Sequence, residues 1–282
     1  MPARGWGDVA RVLLGSVCAA LWLLAPSALV SSTGHFPVAA PRPSALPPPA
    51  PAPPPFSDLP DLTQSDPRLA LPGGGASYCA PVAASNGLVQ LAPRCPGLVL
   101  PGGQIELVRR LASARYFGTS SESGTGPTGV LVGLHRYLTH QGCAYRRLEY
   151  QGWRAHPARF GTGVRAPSLA WIAEAIAAGG TALLHVGWYA KSRYADAYGR
   201  RGGHWLTVAA ATADGFVLHD PAPYAGPDFA NEDVHAERLE SGWLVDGKAA
   251  LPAQGYYRLT GGMHTKRPDD VAILDGVVVL VM

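Results

Sequence analysis

Three side chains, Cys79, His204 and Asp220, are of the types that together carry out nucleophilic chemistry. A thiol attacks a carbonyl carbon when a histidine within hydrogen-bond reach takes its proton, and the histidine works better when a third polar group orients the ring. Each residue also has an ordinary explanation: a buried thiol, a surface histidine and a turn aspartate. Because that explanation needs three independent coincidences, the sequence favours a catalytic Cys-His-Asp triad.

The segment around Cys79 predicts how the thiol is presented. Three consecutive glycines, Gly73 to Gly75, precede it, and Pro81 follows two residues later. Glycine permits loop conformations closed to other residues, and proline suits the first turn of a helix, where its missing N–H costs nothing. We therefore expect a helix that begins at Cys79, whose unsatisfied N–H groups and positive dipole end favour the thiolate.

The other two candidates lie at strand ends in the second half of the chain. His204 follows Gly202 and Gly203 at the start of one predicted strand, and Asp220 comes at the end of the next, just before Pro221. The glycines leave room for a substrate backbone beside the imidazole. Gly203 and Trp205, which flank the histidine, are the candidate substrate-binding residues.

The hairpin between these strands decides whether Asp220 reaches His204. A tight Asp214-Gly215 turn would place Asp220 opposite Ala209, about 16 Å from the histidine at the usual strand rise. The triad therefore predicts a wider loop over residues 211–214, with Asp220 opposite Trp205 and Gly215 in a left-handed or bulged conformation.

Apolar spacing places helices before strands. Helical periodicity over residues 82–92, 104–114, 128–141 and 167–178 is followed by strand-like runs at 181–189, 205–211, 215–219, 255–259, 271–274 and 277–281. This order predicts an α+β domain in which a helical half, with a central helix starting at Cys79, packs on a mainly antiparallel sheet half.

Composition divides the chain into three parts. Residues 1–32 carry Arg4 and Arg11 before an apolar run and predict a signal peptide or an N-terminal membrane anchor. Residues 33–58 are rich in proline and alanine and predict a disordered spacer. Residues 59–282 are long enough for one catalytic domain. We therefore expect a secreted or periplasmic protein that meets a membrane only if the N-terminal segment is uncleaved.

Charge and cysteine content limit the possible partners. The net charge of +3 on 282 residues comes without a basic stripe, which argues against nucleic acid, and Arg200 and Arg201 are expected at the solvated surface. Beyond the signal, three cysteines remain. An odd number in an exported chain predicts one free thiol and one bridge; if Cys79 is free, Cys95 and Cys143 pair. The cysteine spacing fits no metal site, and no cofactor is expected.

The motifs resemble those of the papain-like cysteine peptidases, and among them the double-glycine (bacteriocin-processing) leader peptidases. The similar stretches are Tyr78-Cys79-Ala80-Pro81, Gly203-His204-Trp205-Leu206-Thr207-Val208 and His219-Asp220-Pro221. The resemblance implies a papain-like fold and a peptide or protein substrate.

The resemblance also implies roles for single residues. Cys79 would be the nucleophile, His204 the general base and acid, Asp220 the orienting group, and Gln64 the side chain that donates to the oxyanion. The chain departs from the family pattern in having Ala80 where glycine is usual and in the fifteen residues between Gln64 and Cys79.

Two other hypotheses come from different classes. The stretch from His185 to Tyr189 resembles the histidine strand of NlpC-type cell-wall endopeptidases, which would make His185 the base and a peptidoglycan stem peptide the substrate. That class usually has aspartate before the cysteine, where this chain has Tyr78. Alternatively, the domain is a binding or scaffold module whose thiol is inert.

Overall fold

The computed structural model describes residues 59–99, 101–223 and 231–282, and within these ranges it contains four α-helices. They are α1 (Cys79–Leu91), α2 (Gly103–Ala112), α3 (Pro127–His140) and α4 (Leu169–Ala177). The predicted signal or anchor (1–32) and spacer (33–58) lie outside the described residues. None of the described helices combines the length and the apolarity needed to cross a bilayer.

The helices follow the periodicity of the sequence. α1 is apolar or small on nearly all sides and is buried along most of its length, whereas α2 buries Leu107, Val108 and Leu111 on one face and turns Arg109 and Arg110 outward. In α4, the Ser168 side chain accepts a hydrogen bond from the Trp171 N–H and so caps the helix.

The described residues also form nine β-strands. In chain order they are β1 (Arg147–Gly152), β2 (Thr181–Lys191), β3 (Ala197–Ala211), β4 (Gly215–His219), β5 (Glu232–Arg238), β6 (Trp243–Asp246), β7 (Ala249–Pro252), β8 (Tyr257–Gly261) and β9 (Asp270–Val281). Strands β2, β3, β4, β5, β8 and β9 pair in that order, each with the next, and β9 pairs back with β2. These six antiparallel strands form a closed barrel. Outside the ring, β1 pairs with β9, and the β6–β7 hairpin joins the outer end of β3 through β6.

The predicted fold class, a papain-like α+β domain with a helical half on a sheet half, is wrong. The structure is mostly β, and its sheet is a closed six-stranded barrel with extra strands. Two features account for the error. Charged β5 has Val234 and Ala236 as its only apolar residues and was not predicted as a strand, although it bridges β4 to β8. The pairing of β2 with β9 joins segments about ninety residues apart, such as Leu184 with Val277, which local patterning does not report.

The two largest apolar cores lie inside and outside the barrel. The barrel interior is filled by apolar residues from all six ring strands, including Leu184, Leu206 and Leu274. Helices α1 and α3 pack outside the barrel in a second core that includes Leu183 and Trp205. A hydrogen bond of 2.8 Å from Thr207 Oγ1 to the Ala83 carbonyl fixes α1 against β3, and with it the distance between the two halves of the site.

Candidate active site

The loop before α1 brings the thiol into a cleft. Gly73, Gly74 and Gly75 all have positive φ, from 61° to 81°, and the Tyr78 N–H bonds the Gly75 carbonyl at 2.9 Å just before the helix starts at Cys79. At Gly75 a Cβ would come within 1.8 Å of the Gln64 carbonyl oxygen, so this close approach requires glycine. Cys79 is a free cysteine, 9% exposed, and lines the cleft.

The carboxylate of Asp220 meets the ring of His204. His204 Nε2 lies 2.5 Å from Asp220 Oδ1, which also accepts a hydrogen bond of 2.9 Å from the Ala222 N–H. Both side chains are buried, and Trp188 stacks on the His204 ring at 5.8 Å between centroids. The imidazole is therefore held on one edge and along one face.

The second ring nitrogen of His204 is left for the nucleophile. The charge of Cys79 acts on this ring, and because Nε2 is engaged by Asp220, Nδ1 is the ring nitrogen left for the thiol. Burial alone would lower the pKa of His204, but the charges and hydrogen bonds of Asp220 and Cys79 outweigh burial and raise that pKa to about 10. At neutral pH the arrangement favours a protonated imidazole beside the thiol of Cys79.

The hairpin that delivers Asp220 differs from the predicted one. Ala211 pairs with Phe216 and the Thr212 N–H bonds the Gly215 carbonyl at 3.0 Å, so Ala213 and Asp214 form a two-residue turn. Gly215 does not have positive φ. Both the wider loop and its left-handed Gly215 are therefore wrong.

A bulge, instead of a wide loop, brings the aspartate into reach. The β3–β4 register shifts between Val208 and Ala210, and Thr207 then pairs with His219. Continuing this register puts Asp220 across from Leu206. His204 and Leu206 are on the same strand face. From that diagonal position the Asp220 side chain reaches His204.

Gln64 lies beside the nucleophile although it is distant in sequence. Its backbone N–H bonds the Pro221 carbonyl at 2.7 Å, which ties this segment to the residue after Asp220. The side chain is 5% exposed and lines the cleft with Cys79; Nε2 donates to the Ala76 carbonyl at 2.9 Å. An amide carries two N–H groups, so one remains for a ligand. The backbone N–H of Cys79, at the first turn of α1, has no partner within the helix. It is a second N–H group that can donate to a ligand in the cleft.

The cleft has a volume of about 630 Å³ and includes both predicted substrate-binding residues, Gly203 and Trp205. The Trp205 indole N–H donates to the Thr125 carbonyl at 2.9 Å. Ser77, just before the nucleophile, donates to the Ser121 carbonyl at 2.8 Å. These bonds attach the loop between α2 and α3 to both sides of the site, where it forms one wall.

His185, the alternative base, lies in the same cleft in a different setting. Its ring stacks on Trp205 at 4.5 Å, and burial, followed by the charges of Arg200, Arg154 and His204, holds its pKa well below the usual value. The carboxylate partner in this site belongs to His204. The geometry therefore favours His204 as the base.

The sequence reasoning missed the basic lining of the cleft. Arg200 was expected at the surface, but its side chain is 12% exposed and its Nε donates to Asp275 at 2.7 Å. The cleft is lined by five basic residues and only two acidic ones, Glu122 and Asp270. The basic residues are Arg154, Arg200, Arg201, Lys266 and Arg267. Arg200 is buried because it pairs with the buried Asp275. The two residues are seventy-five positions apart in the sequence, and only the fold brings them together.

Two more carboxyl groups lie behind Asp220. Burial raises the pKa of Asp61 to about 6 and that of Glu232 to about 8, with a further contribution to each from the charge of Asp220. Among the described residues, neither carboxyl group has a hydrogen-bond partner for its side-chain oxygens. They make the surroundings of the orienting aspartate sensitive to pH.

The two remaining cysteines form a disulfide far from the thiol of Cys79 in the sequence. Cys95 and Cys143 are bonded, with their Cα atoms 5.9 Å apart, and the bridge ties the segment after α1 to the end of α3. This is the pairing expected from the odd cysteine count.

Comparisons of the chain with protein-family models, with curated proteins and with solved structures find no match. The geometry of the cleft and the motifs around Cys79, His204 and Asp220 are therefore what indicate a function.

Proposed function

We propose that this protein is an exported cysteine hydrolase that cleaves peptide or amide bonds with Cys79, His204 and Asp220. The observation that carries the proposal is the meeting of Cys79 and His204 in one cleft, with His204 Nε2 held 2.5 Å from Asp220 Oδ1. The similarity of its motifs to those of cysteine peptidases supports the same assignment of roles.

The reaction proceeds in two halves. The Cys79 thiolate attacks the carbonyl carbon, and the tetrahedral oxyanion is stabilised by the Cys79 N–H and Gln64 Nε2. The His204 imidazolium then gives its proton to the leaving amine, and a thioester remains on Cys79. His204, now neutral, takes a proton from water, the hydroxide attacks the thioester, and collapse releases the acid and regenerates the ion pair.

The Cys95–Cys143 bridge supports action outside the cytoplasm. Stable disulfides form and persist in oxidising compartments. This agrees with the export signal proposed for residues 1–32, so we place the hydrolase in the periplasm or outside the cell.

The proposal is tested with the full chain carrying Cys18→Ser, which leaves Cys79 as the reduced thiol. Incubation with a pool of peptides, followed by mass spectrometry, should give products that are absent with Cys79→Ala at the same melting temperature. Cys79 should also react with iodoacetamide near neutral pH far faster than glutathione does. A chain that cleaves no peptide and is alkylated at the glutathione rate is a scaffold, and the proposal is then wrong.

The identity of the base is tested by histidine variants. His204→Ala should abolish rapid alkylation of Cys79. The matched control is His235→Ala, since His235 also contacts an aspartate, Asp214, at 2.9 Å, but both side chains are exposed and outside the cleft. Loss of reactivity in His185→Ala together with its retention in His204→Ala would favour the NlpC-type alternative.

A further inference from the structure

Two paired glycines make room for a buried ion pair beside the triad. Gly187 of β2 lies opposite Gly203 of β3. At Gly187 a Cβ would come within 2.6 Å of Asp275 Oδ2, and at Gly203 within 2.4 Å of Arg200 Nη2. The Arg200–Asp275 pair therefore requires glycine at both positions. The pair places a guanidinium next to Gly203, the residue that precedes His204.

Asp275 holds this guanidinium by one edge only. It is fully buried and accepts hydrogen bonds from Tyr189 Oη at 2.5 Å, Trp153 Nε1 at 2.9 Å and Arg200 Nε at 2.7 Å. Among the described residues, the hydrogen bonding of Arg200 runs through Nε, so Nη1 and Nη2 are left for a ligand. Two parallel N–H donors of a fixed guanidinium match the two oxygens of a carboxylate.

His185 supplies a second polar group at the same point. It is 5% exposed, and its Nδ1 has no hydrogen-bond partner among the described residues. Its Nε2 would lie 3.2 Å from a Cβ at Gly203, on the same side as Arg200 Nη2. In the neutral tautomer that carries its proton on Nε2, this ring can donate to a ligand that the guanidinium also binds.

Farther along the cleft, the basic residues outnumber the acidic residues Glu122 and Asp270. Arg154 lines it while paired with Asp246, and Arg201 lines it while paired with Asp269 and Asp270. Lys266 and Arg267, both exposed, also line the cleft. This excess of basic residues favours anions over cations in the approach to Cys79.

We propose that Arg200 and His185 form a carboxylate-binding subsite next to Cys79 and His204, so that the favoured substrates are peptides or amides with a carboxylate close to the scissile bond. This inference rests on the proposed hydrolase function. The carboxylate is supplied either by an aspartate or glutamate side chain or by the C-terminus of a peptide.

A pair of alkylating reagents tests the subsite without any turnover. Iodoacetate and iodoacetamide modify the same thiol and differ in one carboxylate. The ratio of their rates at Cys79, relative to that ratio for glutathione, should be about tenfold higher or more, which is the scale of one charge-assisted hydrogen bond. The imidazolium of His204 also attracts iodoacetate, so the comparison of variants is the decisive one.

The double variant Arg200→Gln with Asp275→Asn removes the guanidinium without leaving a buried carboxylate unpaired. It should lower the iodoacetate preference about tenfold. Arg258→Gln is the control, because it removes one positive charge, paired with Glu237, outside the cleft. An unchanged preference in the folded double variant overturns the subsite.

Peptides tested on the unaltered chain distinguish the two sources of carboxylate and do not depend on the double variant folding. Preferential cleavage of glutamate over glutamine peptides identifies a side chain, and preferential cleavage of free over amidated C-termini identifies the terminus. Equal cleavage of all of them refutes the subsite. If no peptide is cleaved but the iodoacetate preference persists and depends on Arg200, the hydrolase function fails while the carboxylate site stands.

Discussion

The pKa of His204 gives the sharpest test of the triad. Its rise from 6.5 to about 10 occurs against the effect of burial and is caused by Asp220 and Cys79. At 1.36 kcal/mol per unit, this rise stabilises the imidazolium by about 5 kcal/mol. Replacing a neighbouring negative charge with an isosteric amide typically lowers the pKa of such a histidine by about 1 to 3.

We therefore expect Asp220→Asn to lower the titration midpoint of His204 from about 10 into the range of about 7 to 9. The sign follows from charge: without the carboxylate, the protonated ring loses its partner and releases its proton at lower pH. The alkaline limb of kcat/KM, which reports loss of the proton donor, should move by the same amount.

The measurement is an NMR titration of the histidine ring signals, in which the His204 signal is the one missing from His204→Ala. Asp214→Asn, which alters an exposed aspartate in contact with His235, is the control and should leave the His204 midpoint unmoved. A His204 midpoint near 6.5 in the unaltered protein, or one unmoved by Asp220→Asn in a folded chain, would refute the reasoning.

Three further predictions concern single features. Gln64→Ala should lower kcat about 10²-fold while Cys79 keeps its alkylation rate, because the amide acts on the oxyanion and not on the thiolate. Glu232→Gln should raise the melting temperature more at pH 8 than at pH 5. Burial raises the pKa of Glu232 from 4.5 to about 8, so between these pH values the folded protein keeps a proton that the unfolded chain has lost. The stability of the unaltered protein therefore falls as the pH rises from 4.5 to about 8, and glutamine removes this loss. A melting-temperature gain that is the same at both pH values contradicts this. Replacing Cys95 and Cys143 with serine should cost about 4 kcal/mol in urea unfolding, since the bridge closes a loop across 48 residues; a loss below about 1 kcal/mol contradicts the loop-entropy account.

Local patterns predicted the helices well because the start, end and buried face of a helix depend on residues that are close in the sequence. The start at Cys79 depends on the glycines before it and on Pro81, and all of them lie within nine residues. The barrel depends on strand pairings such as that of β2 with β9, and on charged β5, whose single fully buried apolar residue is Val234. Neither shows in a short window of sequence.

The candidate site was predictable to the same degree. Cys79, His204 and Asp220 stand out by residue type and by their positions at element ends. The bulge at Ala209 and the bond from the Gln64 N–H to Pro221 are tertiary facts and decide how the residues meet. Arg200 was misplaced at the surface because its burial depends on Asp275, which a charge count cannot reveal.

The closed ring of strands also dictates an order of events during synthesis. The barrel can close only when β2 pairs with β9, which lies about ninety residues later in the chain. Contacts between such distant segments have a large entropic cost of loop closure, and this slows folding. Asp275, which fixes Arg200, arrives with that same strand. A chain that lacks residues 270–281 would expose unpaired edges of β2 and β8 and would lack the carboxylate that holds the Arg200 guanidinium. The proposed carboxylate subsite is thus completed only when the barrel has closed.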